Sequence, residues 1–285
     1  MIRVLILGAS GTIGNTMLRI FSELPEFNVC GTARSPEIKS YFTTEIADKL
    51  IFNVDAQNFN TIMQVVTEFK PDFLVNCIGL VKQIAYSNDP TLVMPVNAIF
   101  PHQLAKLCKL SDSKLIHFST DCVFSGRKGN YIETDPMDIN DLYGMSKFIG
   151  EVNSQHTLTL RTSFIGHELA TKHELVEWFL SQEGTVKGFK NAIYSGLPTV
   201  FLASLVRDII LKHPDLNGLY HVASNPISKF DLLTLIANIY DKDIQIIPDH
   251  AIEIDRSLNA QRLKNVMGYT IPNWHELIKQ MHSYR

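Results

Sequence analysis

The 285-residue chain has only four cysteines, two tryptophans and no concentrated block of like charge. Cys30, Cys77, Cys108 and Cys122 are scattered without Cys-x-x-Cys spacing, so neither a disulfide framework nor a zinc site is indicated, and no metal is expected. Three of them read as small core residues. The formal net charge is -3 and the pI is near 6.4. With no run of Lys or Arg, a nucleic-acid or lipid surface is disfavoured. No apolar run approaches the ~18 residues of a membrane span. The opening Met1-Ile-Arg-Val-Leu-Ile-Leu-Gly8 is too short for a signal peptide's apolar region and runs directly into a fold pattern. The chain is therefore read as cytoplasmic, with no nucleic-acid or membrane partner. Internal repeats and low-complexity linkers are missing too. A hydrophobic content of 45% supports a sizeable core in one large α/β domain or two smaller lobes.

Ile2 to Leu7 is an all-apolar run suited to a central parallel strand, and it ends in Gly8-Ala-Ser10-Gly11-Thr12-Ile13-Gly14. An amphipathic helix follows to about Leu24. Such a turn lets the backbone approach a pyrophosphate, which the free N–H groups of the helix N-terminus favour. A second strand, Asn28 to Thr32, leads to Ala33-Arg34-Ser35. An acid at that point would hydrogen-bond the ribose 2′-hydroxyl of NAD. None is present, and Arg34 suits a 2′-phosphate, so NADP(H) is the favoured cofactor; the alternative is a surface arginine without a ligand.

The stretch from His117 to Glu151 is where function is expected. Lys114 to Phe118 reads as a strand delivering Ser119, Thr120 and Asp121 to its C-terminal end, the side on which open parallel sheets keep their ligand crevice. Asn140 or Asp141 caps a predicted helix to about Gln155, with Tyr143 and Lys147 one turn apart on one face. A phenol donates its proton poorly at neutral pH unless a positive charge stabilises the phenolate. Lys147 is placed to be that charge, and Thr120 to hold the substrate oxygen. A Tyr-x-x-x-Lys pair also arises by chance on solvated helices, so the context carries the reading.

Ser-Thr-Asp-x-Val-Phe, Tyr-Gly-x-Ser-Lys-x-x-Gly-Glu and Leu160-Arg161-Thr162-Ser163 together resemble the extended short-chain dehydrogenase/reductase family, and within it the dTDP-4-dehydrorhamnose reductase branch, over almost the whole chain. Gly-x-x-Gly-x-x-Gly is that family's form of the glycine turn. The resemblance implies a Rossmann-type doubly wound parallel sheet with a smaller C-terminal substrate-binding lobe. Residues 1–163, with a return segment at about 197–223, would bind NADP; 164–196 and 224–285 would bind substrate. It implies a nucleoside-diphosphate sugar as substrate, and leaves a homodimer open.

By the same resemblance Ile51 to Asp55 matches the next strand, with Asp55 at the adenine or acting as a helix cap. Thr61 to Lys70 reads as a helix and Phe73 to Cys77 as a strand. Asn76-Cys77-Ile-Gly79 would pass over the cofactor, and the Leu80–Pro90 loop would offer Lys82 and Gln83. Asn97, opening a helix with Val96, is either structural or a proton relay. Thr199 to His213, Gly218 to Ala223, Phe230 to Tyr240 and Ile244 to Ile247 complete the pattern, and Arg256 suits a diphosphate or a surface ion pair. Cys122 stands where related dehydratases carry an acid. GDP-fucose synthase has a cysteine there paired with a histidine, for which His173 is the candidate; a packed thiol is the alternative. The implied activity is NADPH-dependent reduction of a 4-keto-6-deoxy sugar nucleotide. The rivals are an epimerase-reductase using Cys122 and His173, and a non-catalytic regulator like the related subunits of methionine adenosyltransferase.

Overall fold

The structure, a computed structural model, describes residues 1–82, 88–139 and 141–284. Gln83 and Asn140 lie outside the described residues. In chain order, β1 (Ile2–Leu7), α1 (Thr12–Ser22), β2 (Phe27–Thr32), α2 (Thr44–Ala47), β3 (Leu50–Ile51), α3 (Phe59–Phe69), β4 (Phe73–Asn76), α4 (Pro90–Met94), α5 (Phe100–Leu110), β5 (Lys114–Ser119), α6 (Leu142–Ile149) and β6 (Thr157–Arg161) build most of the main layer. There follow β7 (Phe164–Ile165), α7 (Leu175–Leu180), β8 (Thr185–Tyr194), β9 (Leu197–Pro198), α8 (Thr199–Lys212), β10 (Gly218–His221), β11 (Ile227–Ser228), α9 (Lys229–Ile239), β12 (Gln245–Asp255), α10 (Gln261–Met267) and α11 (Trp274–Ser283).

Seven strands form a parallel sheet in the order β10-β6-β5-β4-β1-β2-β3. The order reverses between β1 and β4, which opens a crevice beyond their C-terminal ends. Side chains alternate across β1: Val4 and Ile6 enter a core shared with α1 and α8, while Leu5 and Leu7 enter one shared with α3 and α5. Both faces are thus covered, which is why the run is apolar throughout.

A second sheet, β11-β8-β12, is built from the C-terminal third of the chain. Its central strand is β8. The inward positions of β8 include the small Gly188 and Ala192, so its alternation is weak in sequence. Likewise Ile244 to Ile247 is only the start of the eleven-residue β12. Val186, Tyr194 and α9 join the same core as α1 and α8, so the second sheet shares the main layer's interior.

Other boundaries move for local reasons. β3 stops at Ile51 because Asn53 turns the chain with φ 61°, and Asp55 closes a turn by accepting from the Gln57 N–H. Asn97 does not open a helix. The helical path begins at Pro90, and Pro95, which lacks an N–H, heads a wide π turn at Pro95–Ile99 that contains Asn97. α6 ends at Ile149, not near Gln155, with Gly150 as its C-cap.

Leaving the helix there frees Glu151 to meet Arg161 at the end of β6 in a two-pronged ion pair, 2.6 Å at Nε and 2.7 Å at Nη2. Ser119 at the end of β5 donates to the same carboxylate at 2.7 Å. The guanidinium also lies over the Phe124 ring and donates to His221 Nε2 at 3.3 Å, while His221 Nδ1 donates to the Tyr131 carbonyl. Burial and the adjacent Arg161 push His221 down to about 4, which keeps it neutral in that role. Arg161 is only 3% exposed, so removing its partner strands a buried charge. Glu151→Ala should cost roughly 3–5 kcal/mol in urea denaturation, and adding Arg161→Met should restore part of it. A loss below about 1 kcal/mol for the single variant would contradict this role.

Candidate active site

Thr120 leaves the end of β5 and caps the single turn Asp121–Val123, its Oγ1 accepting from the Cys122 N–H at 3.1 Å. Asp141 caps α6 through the Gly144 N–H at 2.8 Å. The two caps bring Thr120 to the first turn of α6, beside the Tyr143 phenol. Burial and the neighbouring Cys122 push the phenol up from its usual value, and the Thr120 contact only partly offsets this. Lys147 is 7% exposed and donates through Nζ to the Phe118 carbonyl at 2.7 Å. Burial lowers it to about 8 against a weaker upward pull from Glu151. In this state, then, the ammonium holds β5 rather than lowering the phenol. The ammonium bonds the Phe118 carbonyl, and no hydrogen bond from it to Tyr143 is present among the described residues.

Asn97 explains the π turn. It accepts from the Leu80 N–H and donates to the Leu80 carbonyl, both at 2.9 Å, and reaches Ser146 on α6 at 3.3 Å. It thereby holds the Cys77–Leu80 turn over α6, with Gly79 leaving the space beside Lys147 open. These groups face a cavity of about 390 Å³ that spans Ile13, the Cys77–Lys82 turn, Thr120 to Cys122, Tyr143 and Lys147.

The glycine turn fits a dinucleotide by its backbone. Gly8 sits at φ +82°, and a Cβ at Gly14 would run into the Gly8 carbonyl, so strand and helix approach as only glycine permits. Gly11 caps α1 without a side-chain bond, which leaves first-turn N–H groups free for an anion. Of the turn residues Gly8, Ser10, Gly11, Thr12, Ile13 and Gly14, only Ile13 lines this cavity. Arg34 is exposed at the end of β2, with no ion pair among the described residues, beside Ser35. Asp55 likewise lies outside the cavity lining.

On the other side, Arg256 donates to the Phe124 carbonyl at 2.9 Å and to Cys122 Sγ at 3.5 Å, and makes no ion pair among the described residues. Lys82 instead pairs with the Asp141 cap at 2.9 Å, and Asp121 accepts from the Thr120 hydroxyl at 3.2 Å. Cys122 and His173 are not brought together. Burial pushes the Cys122 thiol up to about 12, and His173 is exposed, ahead of α7 and outside the cavity lining.

Three polar or charged cavity residues went unseen in sequence. Glu174, N-cap of α7, contacts the Thr12 hydroxyl, and burial with the nearby Glu168 pushes its carboxyl up to about 7. Tyr194 and Lys229 come from β8 and α9. None carries a local motif, since each lies in a segment whose neighbours are remote in sequence. Among the described residues no group of His, Cys, Asp and Glu is arranged to hold a metal ion, and no helix is long and apolar enough to cross a membrane.

A parallel sheet in this order, with its crevice facing a Thr–Tyr–Lys set, is the Rossmann architecture of the extended short-chain dehydrogenases and reductases. More narrowly, residues 2–284 match the family model of the RmlD substrate binding domain, and the chain belongs to that family. It is 23% identical to dTDP-4-dehydrorhamnose reductase of Aggregatibacter actinomycetemcomitans, over 100% of this chain and 99% of that one. With the Escherichia coli dTDP-4-dehydrorhamnose reductase it shares 25% identity over 80% and 84% of the two chains. The crystal structure of the Bacillus anthracis dTDP-4-dehydrorhamnose reductase in complex with NADP superposes with a TM-score of 0.80 at 22% identity, covering 99% of each chain.

The buried Lys147 ammonium has a sign-definite effect on stability. Its folded pKa, near 8, lies below the unfolded value of 10.5. The native state therefore binds that proton more weakly and gains relative stability as pH rises from about 8 toward 10.5. Buried thiols titrate in the opposite sense there, so the wild type is compared with Lys147→Met at each pH. The difference should shift in favour of the wild type by on the order of 1–3 kcal/mol across the window. Parallel stability curves would contradict the assignment.

Proposed function

We propose that the chain is an NADPH-dependent reductase of a 4-keto-6-deoxy sugar carried on a nucleoside diphosphate, acting in the cytoplasm. The observation that carries this reading is the convergence of Thr120, Tyr143 and Lys147 on one cavity beyond β5, across from the glycine turn. The relatives named above supply the substrate class. The Gly8–Gly14 turn would hold the cofactor's pyrophosphate, Arg34 its 2′-phosphate, and Lys147 with the Cys77–Gly79 turn the nicotinamide riboside. NADPH, when bound, supplies the hydride for the carbonyl carbon.

The chain's own groups supply the proton and the orientation. Thr120 donates to the carbonyl oxygen and fixes its direction. With its pKa raised by burial, the Tyr143 phenol is fully protonated at neutral pH, the state required to donate to a developing alkoxide. As the phenolate forms, Lys147 turns from Phe118 toward it and its positive charge stabilises it. Residues 164–196 and 224–285 form the substrate side in this reading, with Arg256 on the diphosphate.

Consumption of NADPH with a panel of 4-keto-6-deoxy sugar nucleotides tests the proposal. Turnover is expected with at least one, and Tyr143→Phe should lower it by about two to four orders of magnitude while leaving cofactor affinity nearly unchanged. Cofactor binding with no turnover on any panel member would favour a regulatory protein, and a Tyr143→Phe rate equal to the parent's would remove Tyr143 from the role of acid.

A further inference from the structure

On the part of the cavity wall built by β8 and α9, Lys229 and Tyr194 stand side by side, the ammonium 4.2 Å from the ring centroid. Lys229 is partly buried, yet among the described residues it makes no ion pair and donates no hydrogen bond. Asp121 acts on it only through space. It is also the first residue of α9, where the helix dipole opposes a cation. Tyr194 is 6% exposed, and its buried hydroxyl has no hydrogen-bond partner among the described residues. A desolvated, unpaired cation and a stranded hydroxyl are each unfavourable for folding. Local rules broken together in one cavity mark a place where a ligand completes the pairing. A second cation without an ion pair among the described residues, Arg256, lies beside Cys122 on the same cavity wall, so this side of the cavity carries two cations against the single carboxylate of Asp121.

We propose that Lys229, with Tyr194 beneath it, is a subsite for an anionic group of the bound ligand, either the distal phosphate of the diphosphate or a carboxylate on the sugar ring. This rests on the sugar-nucleotide reading above and makes Lys229 a specificity-determining residue of the C-terminal segment. The methylene stem stays on the Tyr194 face while the ammonium meets the anion, so the favourable cation–ring contact survives binding.

The test is calorimetric titration of the full chain, with NADPH present, using dTDP, dTDP-glucose, dTDP-glucuronate and inorganic pyrophosphate against wild type, Lys229→Met and Tyr194→Phe. If the anion is the phosphate, Lys229→Met weakens every probe by roughly ten- to a hundredfold. If it is a ring carboxylate, only dTDP-glucuronate loses affinity. Tyr194→Phe should weaken the same probes by a smaller factor. Lys229→Met should also unfold at the wild-type temperature or above it, because an unpaired cation has been removed; a clear drop would show a structural lysine and overturn the proposal. Wild type that binds pyrophosphate but no nucleotide, with that binding lost in Lys229→Met, keeps the subsite while the sugar-nucleotide reading fails. Affinities within twofold of wild type for all four probes, or no binding by wild type at all, would overturn the subsite.

Discussion

The buried Glu151–Arg161 pair sets where β5, α6 and β6 end relative to one another, and Thr120, Tyr143 and Lys147 are carried on or beside those ends. Helix α6 is only eight residues long, too short to hold its orientation by propensity. Its N-terminus is fixed by the Asp141 cap and its C-terminus by a carboxylate that has left the helix to reach a neighbouring strand. Between them lie Tyr143, Ser146 and Lys147, the first toward Thr120, the others toward Asn97 and the Phe118 carbonyl. The cost of desolvating the pair is offset by the Ser119 hydroxyl, the His221 ring and the Phe124 face around it.

The cavity itself follows the opposite rule. Lys147, Lys229 and Tyr194 are held in low dielectric with fewer partners than they can accept, and Glu174 sits beside the first turn of α1, where an anion would bind. Burial without a full set of partners is unfavourable for each, the usual opposition between a stable fold and a working site. The high phenol pKa belongs to the same logic. It suits Tyr143 to donating a proton, which is the requirement for reduction, and leaves the reverse direction dependent on a rearrangement of Lys147.

What could be read in the sequence depended on how local the cause was. The β1–turn–α1 unit was legible because an apolar run, a glycine turn and an amphipathic helix are contiguous, and Thr120, Tyr143 and Lys147 were legible because one strand end and one helix carry them. Glu151 and Arg161 were visible as motif letters, but their pairing was not, since it depends on a helix ending at Gly150. The π turn needed Pro95 and a partner at Leu80 to be known together. β8 was hidden because its inward side chains are small, and with it went Tyr194 and Lys229. His173 looked placed for catalysis by order along the chain, yet the segment before α7 leaves it in solvent.

In the proposed reaction a hydride moves to a ketone carbon while Tyr143 supplies the proton. The most direct measurement is to run the reaction with NADPH deuterated at the reacting C4 position and a 4-keto-6-deoxy sugar nucleotide, then locate the label by NMR. Deuterium at sugar C4, from one face only, with protium there when the same reaction runs in deuterated water with ordinary NADPH, is the predicted result. A product that takes its C4 hydrogen from solvent, or cofactor oxidation that leaves the sugar unlabelled, would contradict it.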